Sequence, residues 1–101
     1  MATPADDPVV QQYRERITEA DLAIVEAVNA RIGLVARLHD HKRERGYDVV
    51  DRGREEALLA TLQRANAGPL SPQGLAELYA TVLAVSKAEA ARLAKARSGT
   101  S

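Results

Sequence analysis

The strongest constraint on the fold is the segment from Val9 to Arg45, which contains no proline and one glycine, Gly33. This segment predicts a single helix of about 35 residues, roughly 50 Å long. Such a helix outruns the roughly 26 Å diameter of a 100-residue domain, so we expect a second copy alongside it, in an intertwined homodimer. Its apolar residues recur at spacings typical of one helix face: Ile17, Ile24, Val28, Val35 and Leu38.

Two shorter helices are predicted after the long one. The segment 46–50 opens with a glycine, which favours a helix stop, and is predicted to form a loop with some strand character. Asp51 is a favourable N-cap for a second helix that ends near Ala65. The Ser-Pro pair at 71–72 is a strong start signal for a third helix, which is expected to reach about Arg97.

The fold class is therefore predicted to be all-α, with three helices per chain, one of them very long. The helical domain is expected over residues 9–97, between flexible segments at 1–8 and 98–101. The first segment lacks the apolar run of a signal peptide, and no stretch stays apolar for the roughly 18 residues that suggest a membrane span. We expect a cytoplasmic protein with no membrane partner. A long coiled-coil hairpin is the simplest alternative architecture.

The composition argues against nucleic acid, thiols and metals. Lysine and arginine number 14, equal to aspartate and glutamate, whereas polyanion binders usually carry a basic excess. Phe and Trp are absent, so few side chains are suited to base stacking. No cysteine is present, which excludes disulfides. His39 and His41 are two residues apart on a helix and point to different faces, so a solvated pair is expected in place of a metal site.

Three cations interrupt the apolar stripe of the first helix: Arg14, Arg31 and Lys42. An unpaired cation is costly to bury, although each alone is also explained by a side chain that extends to the edge of the seam. Arg31 and Lys42 lie about 16 Å apart along the axis, a span over which two long side chains can hold one small dianion. Arg14 lies about 25 Å from Arg31, so we expect it to complete the site of a partner subunit.

A second polar cluster begins the second helix. Asp51, Arg54 and Glu55 place a cation near a helix N-terminus, which itself favours anions. Glu55 can accept a hydrogen bond from a ligand hydroxyl or pair with Lys42, but a capped, solvated helix start is the better explanation of the three residues taken alone. Ser86 lies on the apolar stripe of the third helix, where its hydroxyl bonds either a ligand or the preceding turn.

From about Tyr13 to Ala91 the chain resembles the all-helical chorismate mutases, chorismate mutase type II. The opening Arg-Glu-Arg-Ile at 14–17 resembles the family's first helix. The spacing of the three cations matches the family's active-site cations, and the Asp-Arg-Gly-Arg-Glu segment at 51–55 matches its second-helix cluster. Ser86 falls where the family has a serine in the third helix.

The resemblance implies conversion of chorismate, a dianion, to prephenate, a unimolecular rearrangement that needs no metal or cofactor. It implies catalytic roles in which two arginines hold the carboxylates, a lysine bonds the ether oxygen and a glutamate takes the ring hydroxyl: Arg14 of the partner subunit, Arg31, Lys42 and Glu55. It implies substrate-binding contacts from three further residues: Asp51, Arg54 and Ser86.

One position departs from the family in a way that bears on activity. Four residues after Ser86, where the family often has a Gln or Glu that bonds the ether oxygen, the sequence has Ala90. Glu89 is adjacent but about 100° round the helix. His39 also stands where the family commonly has a small residue. The departure fits a weak mutase or regulatory subunit that is activated by a shikimate-pathway synthase.

Other functions remain open at the level of sequence. The same cations suit an isochorismate pyruvate lyase or a 4-amino-4-deoxychorismate mutase, and Glu55 facing an amine suits the latter. A non-catalytic helical dimer that regulates a partner enzyme is compatible with Ala90. A plain coiled-coil interaction module predicts no small-molecule binding at all.

Overall fold

The computed structural model of the chain describes residues 3–49 and 51–98, the last by its backbone alone. The described residues form a 3₁₀ turn and three α-helices: the turn Pro4–Asp6, α1 (Pro8–Arg45), α2 (Arg52–Ala65) and α3 (Pro72–Ser98). No strand occurs in these ranges, which confirms the predicted all-α class. The strand character expected in the loop is absent from residues 46–49, and Val50 lies outside the described residues.

The long helix α1 begins one residue earlier than predicted. The Asp7 carboxylate accepts a hydrogen bond from the Val9 amide at 2.9 Å, and Pro8 occupies the first helical position, where a missing N–H costs nothing. This Asp-Pro pair is the same kind of start signal as the Ser-Pro pair before α3. The predicted flexibility of residues 1–8 and 98–101 stays a prediction, and residues 1, 2 and 99–101 lie outside the described part of the chain.

A glycine in the left-handed region ends α1, as the sequence predicts. Gly46 has φ +73°, its amide donates to Arg43 O at 3.2 Å, and the Tyr47 amide donates to Lys42 O at 2.8 Å. This pair of bonds satisfies the last carbonyls of the helix in a Schellman motif. The motif turns the chain sharply, so that residues 47–49 run beside the end of α1.

The capping residues predicted for α2 and α3 are confirmed. Asp51 accepts a hydrogen bond from the Arg54 amide at 3.0 Å, and the Ser71 hydroxyl accepts one from the Gly74 amide at 2.9 Å. Between the two helices, Asn66 accepts a hydrogen bond from the Gly68 amide at 3.0 Å and donates one to Leu70 O at 2.8 Å. These side-chain bonds replace those that the turning backbone cannot make with itself.

By its internal contacts the chain divides into two units, Met1–Ala30 and Arg31–Ser101. The described part of the first unit holds the 3₁₀ turn and the first part of α1. Six of its large apolar side chains are between 56% and 64% exposed: Val9, Tyr13, Ile17, Leu22, Ile24 and Val25. Helix surfaces rarely present so many apolar side chains to water without a partner.

The second unit holds the rest of α1 together with α2 and α3, and α2 packs against α3. Among the described residues, the buried apolar ones are Ala36, Leu75 and Ala90. A further hydrogen bond between the helices joins the Gln63 amide group to Pro72 O at 2.7 Å. No helix in the described part of the chain has the length and hydropathy needed to cross a membrane.

Candidate active site

A cavity of about 320 Å³ lies within the second unit, between α1, the loop after it, α2 and α3. One part of its wall is aliphatic: Leu34, Val35, Leu38, Val49, Leu58 and Leu83. The other part carries polar or charged side chains: Arg31, His39, Lys42, Asp51, Arg54, Glu55, Ser86 and Lys87. Every site residue predicted from the sequence lines this cavity except Arg14.

Helix α1 contributes Arg31 and Lys42, three helical turns apart on one face. Both side chains are half-buried. The Lys42 ammonium donates to the carbonyl of Val49 at 3.2 Å, which ties the loop to the end of α1 and leaves two further N–H donors on the lysine. Among the described residues, no carboxylate pairs with either cation.

Helix α2 contributes Asp51, Arg54 and Glu55 from its first turn. One oxygen of Asp51 is committed to capping the helix. The Arg54 guanidinium has no carboxylate partner among the described residues. The N-terminal turn of α2 adds the positive end of a helix dipole to the same wall.

Helix α3 contributes Ser86 and Lys87. Ser86 is buried, only 1% exposed, and its hydroxyl donates to the Val82 carbonyl at 2.7 Å, one of the two bonds that the sequence allows. Lys87 forms an ion pair with Glu55. The sequence offered Lys42 as the partner of Glu55. The structure gives Lys87, because α3 brings it directly opposite the first turn of α2.

The charges on the wall do not cancel. Four cations, from arginine and lysine, face two carboxylates, so the net charge is +2 with His39 neutral. The pKa of His39 is lowered, first by burial and then by Arg43, Lys42 and Lys87, against a weaker opposite effect of Asp40. His39 is therefore half-buried at the cavity wall, not solvated as the sequence suggested, whereas His41 is exposed.

Two positions named in the sequence lie elsewhere. Arg14 belongs to the first unit and is exposed in the single chain, so its expected place in a partner's site stays a prediction. Ala90 is 2% exposed, and its methyl group offers neither a donor nor an acceptor to a ligand. No group of side chains suited to hold a metal ion occurs among the described residues.

Sequence reasoning missed Lys87 as a wall residue. It follows Ser86 directly and is thus about 100° away round α3, which suggests a solvent-facing lysine, and its side chain is indeed 44% exposed. The one feature of the sequence that could have indicated Lys87 was the carboxylate of Glu55, which is expected to pair with a cation. With 14 lysines and arginines in the chain, that signal does not select a partner.

The helices and the cavity define a class of protein: an all-helical protein with a small, net-positive cavity suited to an organic anion. In comparison with protein families, residues 13–91 match chorismate mutase type II. The chain belongs to this family, as the resemblance predicts. No curated protein and no solved structure matches the chain. Chorismate-mutase-type function, an isomerase activity in general terms, follows from the family.

Proposed function

We propose that the protein isomerises chorismate to prephenate, a step of aromatic amino acid biosynthesis. The observation that carries the proposal is the net charge of +2 on the wall of a 320 Å³ cavity, which complements the two carboxylates of chorismate. Arg31, Lys42 and Arg54 have no carboxylate partner among the described residues. Arg31 and Lys42 are half-buried and Arg54 is exposed. Because a half-buried cation without an anion is unfavourable, the first two side chains are suited to an anionic ligand, and Arg54 adds a third positive charge to the same wall.

The reaction makes two physical demands on the site. The extended substrate has to be held in a compact, chair-like conformation, which arginines on separate helices achieve by fixing its carboxylates. Negative charge grows on the ether oxygen as the carbon–oxygen bond breaks, and a fixed cation stabilises it. Lys42 has two donors not used by Val49, and in the proposal it supplies this stabilisation.

The aliphatic part of the wall supports the same mechanism. Leu58 and Leu83 are half-buried on the wall and are placed to keep water from one side of a bound ligand, and in a site with little water each charged hydrogen bond is stronger. Glu55 has one oxygen in the ion pair with Lys87, and its other oxygen accepts no hydrogen bond from the described residues. That oxygen is proposed to accept the ring hydroxyl of chorismate.

We also infer that the working unit is a homodimer in which each site is completed by Arg14 of the partner subunit. Six large apolar side chains of the first unit are more than half exposed in the single chain. Burial of such surface is the main driving force of association. A second copy of the chain presents the same apolar helix surface and can cover it. A light-scattering mass of twice 10.9 kDa is expected.

The decisive experiment follows the loss of chorismate by ultraviolet absorbance and identifies prephenate as the product. Lys42→Ala is expected to lower kcat by about 100- to 1000-fold, the usual cost of one donor to a developing oxyanion. Lys95→Ala is the matched control, because this lysine is exposed on α3 and outside the cavity. Near-wild-type turnover by Lys42→Ala contradicts the mechanism. Because Ala90 also fits a weak mutase that a shikimate-pathway synthase activates, the same assay is repeated with such a synthase added, and activation predicts a higher kcat.

A further inference from the structure

We propose that Lys87 determines substrate specificity, by making the cavity prefer a neutral ring hydroxyl over a ring ammonium. The proposal rests on the proposed function and deepens it. The two candidate substrates, chorismate and 4-amino-4-deoxychorismate, differ only in the group that Glu55 is proposed to contact. The charge around Glu55 therefore decides between them.

The ion pair of Lys87 with Glu55 carries the argument. A carboxylate without a partner attracts an ammonium group strongly and accepts a hydrogen bond from a hydroxyl more weakly. The Lys87 ammonium already compensates the charge of Glu55 through one oxygen, Oε1. A ligand ammonium at the other oxygen then meets a pair with no net charge, and it also lies close to a like charge, which is unfavourable. A ligand hydroxyl loses little, because it carries no charge.

The other charges of the wall act in the same direction. Besides the pair, the wall holds the cations Arg31, Lys42 and Arg54 against one carboxylate, Asp51, and Asp51 is already engaged by the Arg54 amide. The single charge of Asp51 is outnumbered three to one by these cations, so this part of the wall stays net positive and is unfavourable to a ligand ammonium. Without Lys87 the net charge of the wall falls from +2 to +1, and Glu55 becomes available as an uncompensated anion.

A purely structural role for Lys87 predicts a different result. Lys87 is 44% exposed and Glu55 is 29% exposed, and exposed ion pairs add little to the free energy of unfolding. The contact of α2 with α3 has other supports, such as the bond from Gln63 to Pro72. Removal of the Lys87 charge is thus expected to leave the fold intact. A loss of packing would lower activity on both substrates equally and would not alter their ratio.

The test compares Lys87→Met with the wild type on chorismate and on 4-amino-4-deoxychorismate, at neutral pH where the ring amine is protonated. The ratio of the two kcat/KM values is expected to shift toward the amine by about tenfold, the effect of one screened charge a few ångströms away. Lys87→Arg keeps the charge and is expected to restore the wild-type ratio. Lys95→Met, on the same helix and outside the cavity, is the matched control.

The outcomes separate this inference from the proposed function. An unchanged ratio in Lys87→Met, in a protein that converts chorismate, overturns the role of Lys87 and leaves the mutase proposal standing. If Lys87→Met does not fold, Lys87→Gln replaces it with the same expected shift. If the wild type converts neither compound, calorimetric dissociation constants for the two give the ratio. A wild type that neither converts nor binds either compound ends both proposals.

Discussion

The two parts of α1 place the same kinds of residue in opposite surroundings. Before Ala30, both isoleucines and two of the four valines are more than half exposed in the single chain. After Arg31, α2 and α3 belong to the same unit, Ala36 is buried, and cations and aliphatic residues line a cavity, although Leu34 and Leu38 on its wall are still at least half exposed. The contrast teaches that one continuous helix can serve as a wall within its own chain at one end and as an unpaired surface at the other. The cavity of the second unit can be described from one chain, whereas the exposed apolar side chains of the first unit are explained by the proposed homodimer.

The largest expected effect comes from a charge placed on the exposed apolar surface of the first unit. Ile24→Lys is expected to dissociate the proposed dimer and to unfold much of the chain, because burial of an unpaired charge costs several kcal/mol. Glu26→Lys is the control, since position 26 lies about 200° round the helix from position 24. Light scattering gives the mass and circular dichroism the helix content. If the wild type is a stable, fully helical monomer, the first part of α1 does not pack against a partner subunit, and the proposed difference between the two parts of the helix is wrong.

A smaller effect tests whether the two parts of α1 meet in one site through the dimer. Arg14→Ala and Arg31→Ala are each expected to lose most activity, because each removes one carboxylate ligand. After the two variants are unfolded together and refolded, random pairing in a two-fold dimer leaves about a quarter of the sites intact. The measurement is kcat/KM of the mixture against each variant alone. A mixture no more active than its components contradicts a shared site.

The smallest expected effect concerns the titration of His39 in the cavity wall. Its pKa is lowered from 6.5, first by burial. Just below pH 6.5, His39 therefore binds a proton more readily in the unfolded chain than in the folded chain. The free energy of unfolding should therefore rise with pH through the range just below 6.5. His39→Gln is expected to reduce this slope slightly.

Urea unfolding on both sides of pH 6.5 measures the effect. His41→Gln serves as the control, because this histidine is exposed and outside the cavity. If the free energy of unfolding changes with pH equally in the wild type and in His39→Gln, the second unit does not shield His39 from solvent.

The fold was predictable from the sequence because its start and stop signals are local. The N-cap of α2 and the Ser-Pro start of α3 follow from side chains that bond amides within one turn. Gly46 ends α1 because it adopts a positive φ at little cost. The start of α1 was placed one residue late, although Asp7 and Pro8 carry the same signal as the pair before α3.

The site was less predictable, because its details depend on contacts between helices. The spacing of Arg31 and Lys42 predicted that these two cations share a site, and the family resemblance added the cluster at 51–55. Both cations and the predicted members of the cluster line the same cavity. The pairing of Lys87 with Glu55 and the half-buried state of His39 depend on how α3 faces α2 and α1. Neither follows from periodicity along one helix.

The hydroxyl of Ser86 has a single proton, which it donates in a hydrogen bond to the carbonyl of Val82, one turn earlier in α3. What this side chain turns toward a bound molecule is therefore only its lone pairs. It can accept a hydrogen bond from an alcohol of the ligand, but it has no proton left to donate to a carboxylate. At this point the wall thus repels the acidic ends of a ligand and favours its alcohol, which restricts the direction in which an asymmetric molecule can enter and settle.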